Sequence, residues 1–251
     1  MSQGVVVVIP ARFASTRFPG KPLHVLAGKP LIQHVYERAK ALQAQVDAII
    51  IATDHEGIKN TAEGFGATVC MTASTHETGT DRLAQVANYY AWSDQTIVVN
   101  LQGDEPLTPL TNLEQLIANM QRYDDVAMAT LATPIQSLEE LNNPNCVKVV
   151  CDNTGKALYF SRAPIPHQRD GLLRPLADYA LRHIGMYAYR VGFLKAYPLL
   201  SPAPLEALEK LEQLRALANG FKIHVDIAYE NPGLGVDTLA DAVSVEKLLN
   251  S

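Results

Sequence analysis

Apolar residues fall along this chain in two alternating patterns. Val5 to Ile9 is an unbroken β-branched run closed by Pro10, as expected of a parallel strand covered on both faces. It gives way to Ile32, Val35, Tyr36, Ala39 and Leu42, which recur at helical spacing from a start near Pro30. The alternation then repeats. A strand over Ala48 to Thr53 is followed by a helix over 56–65, a strand over 67–71, a helix over 80–92 and a strand over Thr96 to Asn100. After Pro109, Leu113, Leu116, Ile117 and Met120 mark one face of another helix. Such alternation predicts a mostly parallel sheet with right-handed crossovers and helices on both faces.

From about residue 124 the pattern changes. Strand-like runs at 126–132, 147–151, 156–160 and 183–189 crowd together between loops rich in Pro and polar residues. They predict a smaller antiparallel element or arm. A long helix over 204–219, a strand over 222–228 and a helix over 238–249 complete the chain. No repeat, low-complexity segment or linker interrupts it. The expected fold class is therefore α/β: a Rossmann-like, mostly parallel twisted sheet with an antiparallel arm in the second half. The 251 residues read as one domain, 1–251, with an α/β half to about 123 and an elaborated half from about 124.

Composition narrows the function. A formal net charge of -5 argues against a nucleic-acid partner, which needs a basic face. Cys70, Cys146 and Cys151 are odd in number and lack zinc-like pairing, which suits free thiols in a reducing cytosol. The apolar run at the N-terminus spans five residues with no basic segment before it, too short for a signal peptide or a membrane span. The expectation is a cytoplasmic protein with no membrane partner.

Against this acidity, "PARFASTRFPGKPL" (10–23) sets Arg12, Arg17 and Lys21 close together with no acid among them. The stretch follows the first strand, where open α/β sheets bind ligands. It lacks the glycine spacing of a P-loop, and Gly64 and Gly66 begin a dinucleotide fingerprint whose third glycine position is Val69. Backbone N–H groups and three cations in one loop suit an anion with several charges, such as a triphosphate. On the residues alone, a solvated loop that balances an acidic surface remains open.

The same stretch, read as "IPARFASTRFPGKPL", resembles the nucleotide-binding signature of the bacterial CMP-sugar-acid synthetases. Further segments match in order: "IATDHEGI", "HETGTDR", "NLQGDEP", "NPNCVKVV", "ALYFSRAPIP", "HIGMYAYR", "LEKLEQLR" and "GVDT", from residue 8 to residue 238. The last few resemble the branch that acts on 3-deoxy-D-manno-octulosonate (Kdo). That family often has Asp where His55 stands and Ser where Thr78 stands.

The resemblance implies transfer of CMP from CTP to the anomeric hydroxyl of Kdo, with release of pyrophosphate. The product, CMP-Kdo, is the activated donor for lipopolysaccharide assembly. Arg12, Arg17 and Lys21 would clamp the triphosphate, and Asp104 and Asp237 would hold Mg²⁺. Thr80, Arg82 and Gln102 would contact the cytosine, with Ala11 small enough to let backbone approach the base. Arg162 and His183 would meet the sugar carboxylate, with Tyr187 beside them, and Glu212 and Gln213 the hydroxyls. A homodimer is implied as well, with the aromatic strands Tyr159–Phe160 and Tyr187–Tyr189 offering apolar surface.

Each residue also has a plainer reading. Asp104 suits a turn before Pro106, Asp237 or Thr80 a helix cap, and 204–219 a solvated helical face. No Ser, Cys or His stands in a nucleophile setting, so neither a covalent intermediate nor a need for the thiols is expected. A cytidylyltransferase for sialic acid or amino-substituted Kdo is the near rival. A metal-dependent glycosyltransferase is more distant, since the chain has no Asp-x-Asp.

Overall fold

The computed structural model describes residues 4–14, 18–76, 78–171 and 174–250. In chain order the strands are β1 (Val5–Ala11), β2 (Val25–Leu26), β3 (Lys29–Pro30), β4 (Ala48–Thr53), β5 (Thr68–Met71), β6 (Ile97–Asn100), β7 (Met128–Pro134), β8 (Lys148–Cys151), β9 (Ala157–Ser161), β10 (Leu181–Arg190) and β11 (Ile223–Ile227). The helices are α1 (Leu31–Lys40), α2 (Glu56–Gly64), α3 (Gly79–Tyr89), α4 (Leu110–Arg122), α5 (Leu138–Asn142), α6 (Val191–Ala196), α7 (Pro204–Glu209), α8 (Gln213–Ala218) and α9 (Leu239–Leu249).

Nine strands form one sheet in the order β11-β7-β10-β6-β1-β4-β5, with β8 on β10 and β9 on β8. β1 runs parallel to β4 and β6, and β7 parallel to β11. β10 alone in the main order is reversed, antiparallel to both β6 and β7. Strand periodicity splits the core. Val5, Val7 and Ile9 face one cluster with residues of α1, α2 and α4, whereas Val6 and Val8 face a second cluster with α3 and α6. Full burial of each such side chain contributes about 1.5–3 kcal/mol.

The expected first half is present to within a few residues. Pro10 does not end β1 but lies within it, paired with Ala52. Its missing N–H is tolerated because β6 pairs β1 only as far as Val8 with Asn100.

The second half departs further. The expected arm is the β8–β9 hairpin, and it belongs to the main sheet rather than standing apart. Beyond Tyr187, opposite Asn100, β10 runs past the end of β6 and pairs with β8 through Leu181 and Arg182. That overhang raises a wall above the carboxyl edge of the parallel strands. The helix expected over 204–219 is broken into α7 and α8, because Lys210 adopts a left-handed backbone with φ 54 and ψ 48. The short helices α5 and α6 were not legible as periodic runs.

The chain's last helix returns to its first loop. Val236, Ala242 and Val245 pack with Leu26 and Leu31, and Ala27 N donates to Glu246 Oε1 at 2.8 Å. Thr238 caps α9 in a reciprocal capping box with Asp241. Asp237 is therefore not the cap, and its carboxylate is turned to other use.

Candidate active site

A cavity of about 670 Å³ opens where β1 and β6 end, between the loop that follows each strand and the overhanging wall of β10. The two loops touch because residue 103 has no side chain. A Cβ on Gly103 would lie 2.6 Å from the Pro10 carbonyl oxygen. This contact sets Ala11 and Arg12 beside Gln102 and Asp104, and all four line the cavity.

Lys21 lies behind them, nearly buried in a short turn. Its Nζ is 2.5 Å from Asp104 Oδ2 and 3.4 Å from Asp237 Oδ1. One ammonium thus bridges two carboxylates that are 133 positions apart in sequence and meet only through the docking of α9. Burial pushes the neighbouring Glu105 carboxyl up to about 7, and the charge of Asp104 pushes it the same way.

Two carboxylates beside an open space are a donor set that Mg²⁺ accepts when phosphates and water supply the remaining oxygens. Among the described residues no group of three or more His, Cys, Asp and Glu forms a closed metal cage. The pair therefore fits a cation shared with a phosphate ligand. Arg17 lies outside the described residues.

The opposite wall carries no net cation from β10. His183, Gly185, Tyr187 and Tyr189 alternate along β10 onto the cavity, while Ile184, Met186 and Ala188 turn to the core behind. A register shift between Ile184 and Tyr187 bulges the strand at Gly185. Thr130 Oγ1 lies 2.7 Å from the Met186 carbonyl and 3.0 Å from both the Ile184 carbonyl and His183 Nε2. Its one proton goes to a carbonyl, so Nε2–H of His183 donates to Oγ1 and Nδ1 is left as an acceptor.

His183 keeps some accessible surface, but protein crowds it around a concave cavity, and burial pushes its pKa down to about 3. His183 thus stands on the cavity wall, as expected, where burial favours the neutral ring. Burial likewise holds the Tyr187 hydroxyl well above its usual range, so it stays protonated.

Glu212 and Gln213 reach the cavity from the start of α8. Thr80 Oγ1 donates to Glu212 Oε2 at 3.1 Å, joining the two halves of the chain across the site. Burial raises the Glu212 pKa, and the Thr80 hydrogen bond opposes that rise. Thr80 is free to do this because Thr78, not Thr80, caps α3 by accepting from Asp81 N.

Two expected contacts are turned elsewhere. Arg82 is fully buried, with Nη2 2.7 Å from Asp54 Oδ2 and Nη1 on Thr72 Oγ1, and it does not line the cavity. It ties the ends of β4 and β5 to α3. Arg162 also lies off the cavity, its Nε donating to the Glu209 carbonyl at 2.6 Å and Nη1 to the Pro144 carbonyl at 2.9 Å. His55, the departure in "IATDHEGI", has a structural role: Nδ1 caps α2 by accepting from Gly57 N at 3.1 Å, and the ring stacks on Phe13 at 4.0 Å.

These features agree with relatives of known fold and name. A family model described as Cytidylyltransferase matches residues 6–223. A 3-deoxy-manno-octulosonate cytidylyltransferase of Thioalkalivibrio sulfidiphilus (strain HL-EbGR7) is 55% identical over 249 residues, 98% of either chain. The chain belongs to the 3-deoxy-manno-octulosonate cytidylyltransferase family. Its counterpart in Haemophilus influenzae (strain 86-028NP) is 52% identical over 250 residues, 97% of either chain. A solved structure of CMP:2-keto-3-deoxy-manno-octonic acid synthetase complexed with CTP matches with a TM-score of 0.91 at 40% identity, covering 99% of both chains. A 4-diphosphocytidyl-2C-methyl-D-erythritol synthase from Anaerococcus prevotii DSM 20548, at 14% identity and a TM-score of 0.64, shares the fold alone.

In this cytidylyltransferase the sequence reading missed several residues of the cavity. Asn100 ends β6 with its buried Oδ1 unpartnered among the described residues, and Tyr189 and Lys210 also line the space. A polar residue closing the apolar run "IVVN" was the one legible signal. Tyr187 and Tyr189 face inward, so they supply no surface for a second copy, contrary to the sequence expectation.

Proposed function

We propose that the protein transfers the cytidylyl group of CTP to the anomeric hydroxyl of Kdo, giving CMP-Kdo and pyrophosphate. One observation carries the reading. One cavity sets a rim of cations and carboxylates against a wall of hydrogen-bonding groups from β10, together with Lys210, Glu212 and Gln213 from the α7–α8 break. The first suits a triphosphate, the second a polyhydroxy acid.

In the reaction a bond forms from the anomeric oxygen to the α-phosphorus, the bond to the pyrophosphate oxygen breaks, and the hydroxyl proton leaves to water. Such transfer needs alignment and charge neutralisation rather than covalent help from the protein. Arg12 and Lys21 would hold the triphosphate and the departing pyrophosphate, as would Arg17. Ala11, Gln102 and Thr80 line the space open to the nucleoside. Asp104 and Asp237 would hold Mg²⁺, which when bound supplies charge neutralisation and lowers the pKa of the attacking hydroxyl. His183 Nδ1, the Tyr187 hydroxyl, Glu212 and Gln213 would take the sugar hydroxyls.

The same reading includes a homodimer, supported by Leu158, 63% exposed on the β8–β9 hairpin, and tested by size exclusion with light scattering. It also includes a cytoplasmic location, with which the free Cys70, Cys146 and Cys151 are compatible. Among the described residues no helix is long and apolar enough to cross a membrane.

A pyrophosphate-release assay with CTP across several sugar acids tests the function. Turnover should require CTP and Kdo together. Strong turnover of N-acetylneuraminate without Kdo activity would replace this reading with the sialic acid one.

A further inference from the structure

The break between α7 and α8 aims Glu212 and Gln213 into the cavity, and something outside the cavity must hold that break in place. Glu209, the last residue of α7, does not line the cavity. Its carboxylate instead gathers three donors from β9 and the residue after it. Oε1 accepts from Ser161 Oγ at 2.6 Å and Tyr159 Oη at 3.4 Å, and Oε2 accepts from Arg162 N at 2.9 Å. Arg162 returns a bond, Nε to the Glu209 carbonyl at 2.6 Å.

The far side of Arg162 is fixed as firmly. Its carbonyl accepts from Nζ of the fully buried Lys148 at 2.6 Å, and Lys148 also donates to the carbonyls of Asn143 and Cys146. Lys210 follows Glu209 at once in the left-handed region, where a side chain is disfavoured unless its surroundings impose the conformation.

We propose that Glu209 is a positioning residue for the sugar-acid side of the site: it locks the α7–α8 break onto β9 and thereby fixes Glu212 and Gln213 against the substrate. This assignment rests on the cytidylyltransferase reading above. It also gives Arg162 its place. The guanidinium acts through Glu209 rather than on the sugar carboxylate.

The test is steady-state pyrophosphate release with each substrate varied in turn, for wild type, Glu209→Ala, Glu209→Gln and Ser161→Ala, with melting temperatures alongside. Glu209→Ala should raise KM for Kdo by about tenfold or more while KM for CTP stays within about twofold. Glu209→Gln keeps one acceptor oxygen and should fall between wild type and Ala. Ser161→Ala removes a single donor from an intact Glu209 and should shift KM for Kdo in the same direction by a few-fold, even if Glu209→Ala does not fold. An unchanged KM for Kdo in the folded variants, or equal rises in both KM values, would overturn the positioning role. A wild-type enzyme inactive with Kdo would overturn the reading on which the role rests.

Discussion

The two sides of the cavity are built in opposite ways. The phosphate-side rim is made at the ends of β1 and β6, where neighbouring parallel strands deliver their following loops to one place. Its parts are short contiguous stretches joined by one close backbone approach at Gly103, and the docking of α9 adds Asp237. The sugar-side wall is made by an overhang of β10, a bulge at Gly185 and a helix break held by Glu209. A rim assembled from strand ends tolerates change in the rest of the sheet. A wall assembled from irregularities depends on residues that never touch the substrate.

The largest effect should follow from breaking the rim. Asp104→Asn and Asp237→Asn should each lower kcat/KM by about a hundredfold or more in the pyrophosphate assay, the scale of removing one preorganised electrostatic group. Full activity in both would remove the metal assignment. Next is Arg82→Met, which lies outside the cavity and should act on stability. It strands Asp54, 14% exposed, without its fully buried partner, at a cost of about 3 kcal/mol or more, read by chemical denaturation. Catalysis by the fraction still folded should be close to normal, which would separate Arg82 from the base contacts expected of it.

An effect that appears only on acidification belongs to the wall. Burial pushes the His183 pKa in the folded chain down to about 3, from its ordinary value of 6.5. Between those values the unfolded chain binds a proton that the folded chain refuses, so stability falls as pH drops through that window, by up to about 1.4 kcal/mol per pH unit. His183→Gln should flatten that part of the stability–pH curve, and a slope equal to wild type would contradict the neutral ring. The smallest expected effect is at the thiols. Burial pushes the Cys151 thiol up to about 11 and raises Cys70 and Cys146, so all three stay protonated and unreactive at neutral pH. Replacing them with Ser or Ala should leave turnover unchanged.

This contrast explains how much the sequence could tell. Val5–Ile9, Ala48 to Thr53 and the stripe on α4 declare themselves because burial on a regular element leaves a period. Arg12, Lys21 and Asp104 are legible because they sit in the loops that follow β1 and β6, where ligands to such sheets bind. The break at Lys210 is not legible, since a run rich in Leu, Glu and Lys has every local reason to stay helical. Tertiary contacts from Ser161 and Arg162 override that preference. Arg162 and His183 invite a charged reading that the structure does not favour. One is spent on backbone carbonyls, and the other is neutralised by burial. Neither fact leaves a mark in sequence spacing.

The most direct test sets one variant from each side against the other, with KM measured for both substrates. A Cβ at Gly185 meets nothing within 4 Å, so Gly185→Leu should fold normally and fill the sugar side. Arg12→Met removes a cation from the phosphate side. Gly185→Leu should raise KM for Kdo by about tenfold with KM for CTP unchanged, and Arg12→Met should do the reverse. If both variants raise the same KM, the cavity is not divided between nucleotide and sugar acid.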